Sequence, residues 1–97
     1  SIPKFPSVRR DISLIVNKTV TAGEMISKIN SVSNLVEDAW VFDLFEGDVL
    51  GNDKKSVGIS ILLRSEDKTL TDEDANKVQN LAISELNKTL GAELRSI

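Results

Sequence analysis

The chain has 97 residues, 40% of them apolar, with 12 basic and 15 acidic side chains and a net charge of -3. It contains no cysteine and no histidine, which excludes disulfides, thiolate nucleophiles, imidazole bases and the commonest zinc ligands. The acidic balance argues against a protein that binds nucleic acid through bulk charge, although a local basic patch stays compatible with it.

The length suits one small domain with a modest core. We expect residues 1–97 to form that single domain, and the missing initiator methionine suggests a piece of a longer chain. No apolar run approaches the roughly 18 to 20 residues of a membrane span, and the first residues lack the apolar core of a signal peptide. The sequence therefore predicts a cytoplasmic domain without a membrane partner.

The first half of the chain predicts a strand, a helix and a second strand. Residues 8–16 alternate in polarity, with one apolar face formed by Ile12, Leu14 and Val16. Thr21 and Glu24 have the spacing of a capping box, and they precede an apolar stripe at helical spacing: Ala22, Met25, Ile26 and Ile29. The next strand is predicted from about residue 36 to residue 46.

The second half predicts a strand, a helix and a short last strand. Residues 56–63 alternate, with Val57, Ile59, Ile61 and Leu63 on one face. Thr71 and the three acids after it indicate a capped helix start. The buried stripe of this helix is Ala75, Val78, Ala82 and Leu86. Gly91 is predicted to end the helix, and the letters ELR begin the last strand.

This order predicts an α+β fold, the ferredoxin-like βαββαβ sandwich, with a four-stranded antiparallel sheet and two helices on one face. Strict alternation divides the strand residues between the two faces of the sheet. The helix side receives Ile12, Leu14, Phe42, Leu44, Val57, Ile59 and Ile61. The open side receives Ser13, Ile15, Asp43, Phe45, Ser56, Gly58, Ser60 and Leu62.

Phe45 is the aromatic that this division leaves on the open face. The hairpin should bring it close to Ser56, and a ring flanked by serines can serve as a platform for a planar ligand. The simpler interpretation is a packing residue covered by a loop or by another domain. Lys54 and Lys55 lead directly into Ser56 and can hold phosphate near the ring, or they can be ordinary solvated charges.

Catalytic interpretations are weaker. The acids Asp72, Glu73 and Asp74 suit a helix N-terminus better than a metal site, because a metal ion needs convergent oxygens. Residues 47–56 fail the phosphate-loop pattern, since Asn52 occupies the position of the second glycine and a strand follows instead of a helix. We therefore expect no catalytic residue, no metal and no cofactor in this domain.

Five short motifs, in order and spacing, carry a family resemblance: KFPSVRRDISLIV, FDLFEG, KKSVGISILLR, TLTDED and GAELR. Together they span about Pro3 to Arg95. The chain resembles the ferredoxin-fold anticodon-binding domain at the C-terminus of the bacterial phenylalanyl-tRNA synthetase beta chain. The fold that this family implies agrees with the fold predicted from periodicity.

The resemblance implies recognition of the anticodon loop of phenylalanine tRNA by the open face. It places the family's stacking aromatic on Phe45, where tyrosine is frequent, and the two small residues on Ser13 and Ser56. Arg10, Lys54 and Lys55 are the expected phosphate contacts, although Arg10 can equally bridge to an acid within the fold. ATP, magnesium and the synthetase alpha chain are implied only for the parent enzyme.

Two alternatives remain at the sequence level. One is a regulatory ferredoxin-like module that binds an amino acid, and the other is a docking domain whose contact is formed by Phe45 and Leu62. The glycine that such small-molecule modules often carry after their first strand is missing, because Gly23 already lies within the first predicted helix.

Overall fold

The computed structural model of the protein describes residues 5–47 and 50–95. Within these ranges the elements are β1 (Val8–Asn17), α1 (Ala22–Asn30), β2 (Val36–Phe45), β3 (Lys54–Leu63), α2 (Asp72–Leu90) and β4 (Glu93–Leu94). The βαββαβ order confirms the ferredoxin-like prediction. Pro3, at the start of the matched span, Lys4 of the first motif, and Asp48 and Val49 of the loop after β2 lie outside the described residues.

Both helices begin as their sequences predict. The Thr21 hydroxyl accepts a hydrogen bond from the backbone N–H of Glu24 at 3.1 Å, and the Glu24 carboxylate accepts one from the backbone N–H of Thr21. Thr71 and Asp74 form the same reciprocal pair at the start of α2. These bonds satisfy two backbone donors that each helix start would otherwise leave without a partner. α2 ends at Gly91.

The four strands form one antiparallel sheet in the order β2-β3-β1-β4. One face packs against both helices, and its core is formed by apolar residues from the two central strands and from the helix stripes: Ile12, Leu14, Val16, Met25, Ile29, Val57, Ile59, Ile61, Leu63, Ala75, Val78, Ala82 and Leu86. The alternation predicted for β1 and β3 is confirmed. Within the described part of the chain, no helix is both long and apolar enough to cross a membrane.

β2 departs from strict alternation, because its pairing with β3 shifts between Val36 and Asp38 and again between Val41 and Asp43. At the second shift Phe42 is the extra residue of a β-bulge. It has no partner on β3, and its side chain points to the other face of the sheet from the one that strict alternation predicts. The prediction that Phe42 faces the helices is wrong. Its ring lies against Gly58 on the open face, and 46% of the residue is exposed.

Leu44 lies on the face predicted for it, but it is not buried there. It pairs with Val57, so its register agrees with the predicted helix-facing position. It is nevertheless 58% exposed, so it contributes little to the core. After the bulge, Asp43 pairs with Gly58 and Phe45 with Ser56, and both retain the open face predicted for them.

Candidate nucleic-acid interface

Phe45 lies at one end of the open face, beside Ser56 as predicted. The two residues are direct cross-strand partners in the β2–β3 register. The Phe45 ring packs against Gly47, where an added Cβ would lie 2.8 Å from its Cζ atom. Phe45 keeps 41% of its surface exposed. The backbone thus fixes the ring without covering it.

Arg95 is a residue of this site that sequence reasoning did not single out. Its backbone N–H donates to the Ser13 carbonyl at 2.8 Å, which fixes the chain just after β4. From there the side chain crosses β1, and its guanidinium lies 5.5 Å from the centroid of the Phe45 ring. Arg95 Nη1 also donates to Ser56 Oγ at 3.1 Å. Cation–π contact and hydrogen bond together hold a positive charge over the exposed aromatic.

The two serines differ in how accessible they are. Ser13 is half-buried and pairs with Gly58, over which the tip of the Phe42 ring lies. Ser56 is only 3% exposed, although its register places it on the open face. Its hydroxyl already accepts the bond from Arg95. Ser13 keeps part of its surface exposed, whereas the buried Ser56 hydroxyl is occupied by its bond from Arg95.

The structure does not bring Arg10 to this site. Arg10 pairs with Ile61 of the core face, so it lies on the opposite side of the sheet from Phe45. Its guanidinium donates to Asn76 Oδ1 at 2.9 Å and to Asp72 Oδ1 at 3.4 Å, at the start of α2. Of the two roles expected for Arg10, the bridge within the fold is the one observed.

The two lysines also separate by face. Lys54 lies two residues before Ser56 on β3 and so shares its face of the sheet. Its Nζ donates to Asn17 Oδ1 at 2.8 Å across the strands. Lys55 pairs with Val16, a core residue, and its register therefore points to the helix side. Lys54 is the better placed of the two for a phosphate near Phe45.

The other end of the open face carries a second aromatic, Trp40, which sequence reasoning also did not single out. Trp40 pairs with Ser60, and the Arg9 guanidinium lies 5.5 Å from the centroid of its ring. The Asp11 carboxylate accepts from Arg9 Nε at 3.0 Å and from Ser60 Oγ at 2.7 Å. These hydrogen bonds, that of Ser60 first, lower the pKa of Asp11, so its charge is retained at neutral pH.

The open face is therefore a line of three rings along β2, with an arginine over each end. Aromatic faces can stack on unpaired bases, and guanidinium groups can bind phosphate or stack on bases themselves. In residues 5–47 and 50–95, no group of three or more acidic side chains is placed to hold a metal ion.

Comparison with known proteins agrees with this geometry. Residues 3–95 match the family model described as the ferredoxin-fold anticodon binding domain. The chain is 41% identical over 96 residues to a phenylalanine–tRNA ligase beta subunit from Clostridium acetobutylicum and 40% identical over 96 residues to that of Bacillus subtilis. The Aquifex aeolicus relative is 36% identical over 96 residues. Each alignment covers 98% of this chain and 12% of the relative.

Proposed function

The chain belongs to the family of ferredoxin-fold anticodon-binding domains, and on this premise we propose that it recognises the anticodon loop of phenylalanine tRNA as one domain of a phenylalanine–tRNA ligase beta subunit. The observation that carries the proposal is the exposed Phe45 ring on the face without helices, beside Ser56 and beneath the Arg95 guanidinium. The alignments cover 98% of this chain but only 12% of each matched relative, so the chain spans about an eighth of the length of these proteins.

In this proposal the first anticodon base stacks on the exposed part of Phe45. An unpaired base can be splayed out of its loop and laid on an aromatic ring without regard to its sequence, so stacking supplies affinity. Ser13, which faces the same side of the sheet and pairs with Gly58, hydrogen-bonds to a base edge in this proposal, the kind of contact that carries sequence information. Ser56 positions Arg95 for the same nucleotide.

Phosphate contacts come from the cations on this face. Arg95 lies over Phe45 and Lys54 lies two residues before Ser56 on the same face, and both donate hydrogen bonds to neutral groups, Ser56 and Asn17. An arginine or lysine bound to a neutral partner keeps its full positive charge for an anion. Arg10 and Lys55 lie on the helix side and contribute less.

The ligase reaction lies outside these residues. The domain binds RNA and carries no catalytic step. The use of ATP, magnesium and phenylalanine belongs to other domains of the ligase and to its alpha chain, with which the beta chain assembles. We place this ligase in the cytoplasm, where its tRNA substrate is charged.

The test is the affinity of the full-length ligase for phenylalanine tRNA, with and without Phe45→Ala. Base stacking on an aromatic is worth about 1–3 kcal/mol, so the variant should bind tRNA roughly ten- to a hundredfold more weakly. Phe45→Tyr keeps the ring and should stay close to the parent. Leu81→Ala removes another exposed apolar side chain, from α2, and serves as the matched control. A loss below twofold for Phe45→Ala would remove the stacking role and favour a ring packed against another domain.

A further inference from the structure

Trp40 and its neighbours repeat the arrangement found around Phe45. Each aromatic belongs to β2, faces the side of the sheet without helices and has an arginine guanidinium 5.5 Å from its ring centroid. The cross-strand partner of each aromatic on β3 is a buried serine, Ser56 at 3% exposure and Ser60 at 0%. At the Phe45 end the serine contacts the arginine directly, and at the Trp40 end it does so through the Asp11 carboxylate.

The two rings are too far apart to serve one base. Trp40 pairs with Ser60 and Phe45 with Ser56, a separation of four residues along β3, or about 13 Å at 3.3 Å per residue. The Phe42 ring lies between them over Gly58. A strand of RNA that placed one base on Phe45 and continued along β2 would reach Trp40 with another base.

The geometry points to a second nucleotide subsite, in which an unpaired base of the same RNA stacks on Trp40 while Arg9 contacts the adjoining phosphate. This inference rests on the proposed function and extends it from one base to a stretch of single-stranded RNA. Asp11 holds Arg9 over the ring before RNA binds, through two hydrogen bonds of 3.0 and 3.5 Å. The guanidinium is exposed at the surface, so it can move from the ring to a phosphate without crossing the core.

RNA is a better match to this surface than an apolar protein segment. Charged side chains stand beside the line of rings: Asp43 pairs with Gly58, and Arg9, held by Asp11, lies over Trp40. A protein that covered this face would bury those charges, which is costly unless each one is paired. A single strand of RNA leaves them hydrated and adds its own phosphates beside the arginines.

Trp40 is the single tryptophan of the chain, so its fluorescence reports this subsite without any substitution. The experiment is a titration of the 97-residue chain with the anticodon stem-loop of phenylalanine tRNA at low salt. We expect saturable quenching of the tryptophan signal that follows the binding curve. In Phe45→Ala the same quenching should occur at higher RNA concentration.

The variants separate this inference from the proposed function. Trp40→Ala should weaken binding of the stem-loop roughly tenfold, whereas Trp40→Phe, which keeps a stacking ring, should lose only a few fold. Leu81→Ala on α2 should leave the affinity unchanged. If Phe45→Ala weakens binding while Trp40→Ala stays within twofold and the fluorescence does not change, the second subsite is wrong and the proposed function stands.

Two further outcomes would also overturn the subsite. If the unmodified chain shows neither binding nor quenching with the stem-loop, both proposals fail for this chain. If the tryptophan signal depends on protein concentration in the absence of RNA, then this end of the sheet is a contact between copies of the chain.

Discussion

Phe42 lies against Gly58 in a contact that leaves no room for a side chain on the glycine. A Cβ on Gly58 would lie 2.8 Å from Phe42 Cζ and 3.1 Å from Asp43 Cβ. Atoms this close overlap, so any larger residue would have to displace the ring. The glycine thus leaves room for the tip of the Phe42 ring on the open face, between Trp40 and Phe45 along β2.

Gly58→Ala should therefore destabilise the domain by about 1 kcal/mol, at the lower end of the range for overpacked sites, because the nearest obstacle is the tip of a half-exposed ring that can shift. Much of that cost should disappear in the Phe42→Ala background, because the ring tip is the nearest obstacle. Urea unfolding of the four proteins measures the coupling, which we expect to exceed about 0.5 kcal/mol.

A matched control is available in α1. Gly23→Ala introduces a Cβ whose nearest contact is Thr21 Oγ1 at 4.0 Å, so it should be neutral or slightly stabilising. Effects of Gly58→Ala and Phe42→Ala that simply add would show that the two residues do not share the contact described here.

At the scale of the element, α2 depends on its first turn. Asp74 accepts a hydrogen bond from the Thr71 backbone N–H at 3.0 Å and faces Lys68 Nζ at 3.3 Å. The bond from Thr71 is the main reason that the pKa of Asp74 lies below its usual range. A carboxyl whose pKa is lowered by folding stabilises the fold while it is ionised.

This cap predicts a pH dependence with a definite sign. The contribution of Asp74 is complete above its ordinary pKa of 3.8 and is lost as the pH falls through the lower pKa of the folded state. Asp74→Asn should thus lower Tm at pH 7, and the difference from the parent should shrink as the pH falls below 3.8. Thermal unfolding between pH 7 and pH 2 measures it.

Two further variants show whether the effect of Asp74→Asn comes from the capping bond or from helix charge. Thr71→Ala removes the capping hydroxyl and should cost about 1 kcal/mol, which lowers Tm by about 4–8 °C for a domain of this size. Glu73→Gln removes a charge from the same turn without touching the cap. Equal pH dependence in Glu73→Gln and Asp74→Asn would mean that helix charge alone, without the Thr71 bond, explains the effect.

The helices and strands also show which features of the fold can be predicted from the sequence. The capping boxes and the alternation of β1 and β3 are local signals, and the structure follows them. The side-chain direction of Phe42 could not be predicted by counting, because nothing in the letters AWVFDLF marks an extra residue. Gly58 in a central strand was the one available hint, since a strand glycine often accompanies a bulge or a close approach.

Arg95 and Trp40 were missed for a related reason. Arg95 acts on Phe45 across two intervening strands, and such a contact depends on the order of the sheet. Trp40 lies in a predicted strand, but its association with Arg9 depends on the β1–β3–β2 register. The contact of Arg10 with Asp72 and Asn76 of α2 likewise depends on how the helix packs on the sheet, which local sequence patterns do not reveal. Sequence indicates the type of residue at a site, whereas tertiary pairing decides which of them meet.

At the scale of the whole molecule, an acidic domain carries a local face of aromatic rings and cations. The net charge is -3, and several cations, Arg10, Arg64 and Lys68 among them, lie beside acids of the same domain. Arg9, Lys54 and Arg95 lie on the face with the rings, where Arg9 is paired with Asp11 and the other two donate to neutral side chains. Binding should therefore depend on stacking at defined positions more than on overall charge.

The measurement that tests this account most directly is an NMR titration of the labelled chain with the anticodon stem-loop of phenylalanine tRNA at low salt, where phosphate contacts are strongest. We predict shifts concentrated on Ser13, Phe45 and Ser56 and on the Arg95 side chain, and smaller shifts when the first anticodon base is replaced. Shifts confined to the lysines, and insensitive to that base, would contradict recognition of the anticodon by this face of the sheet.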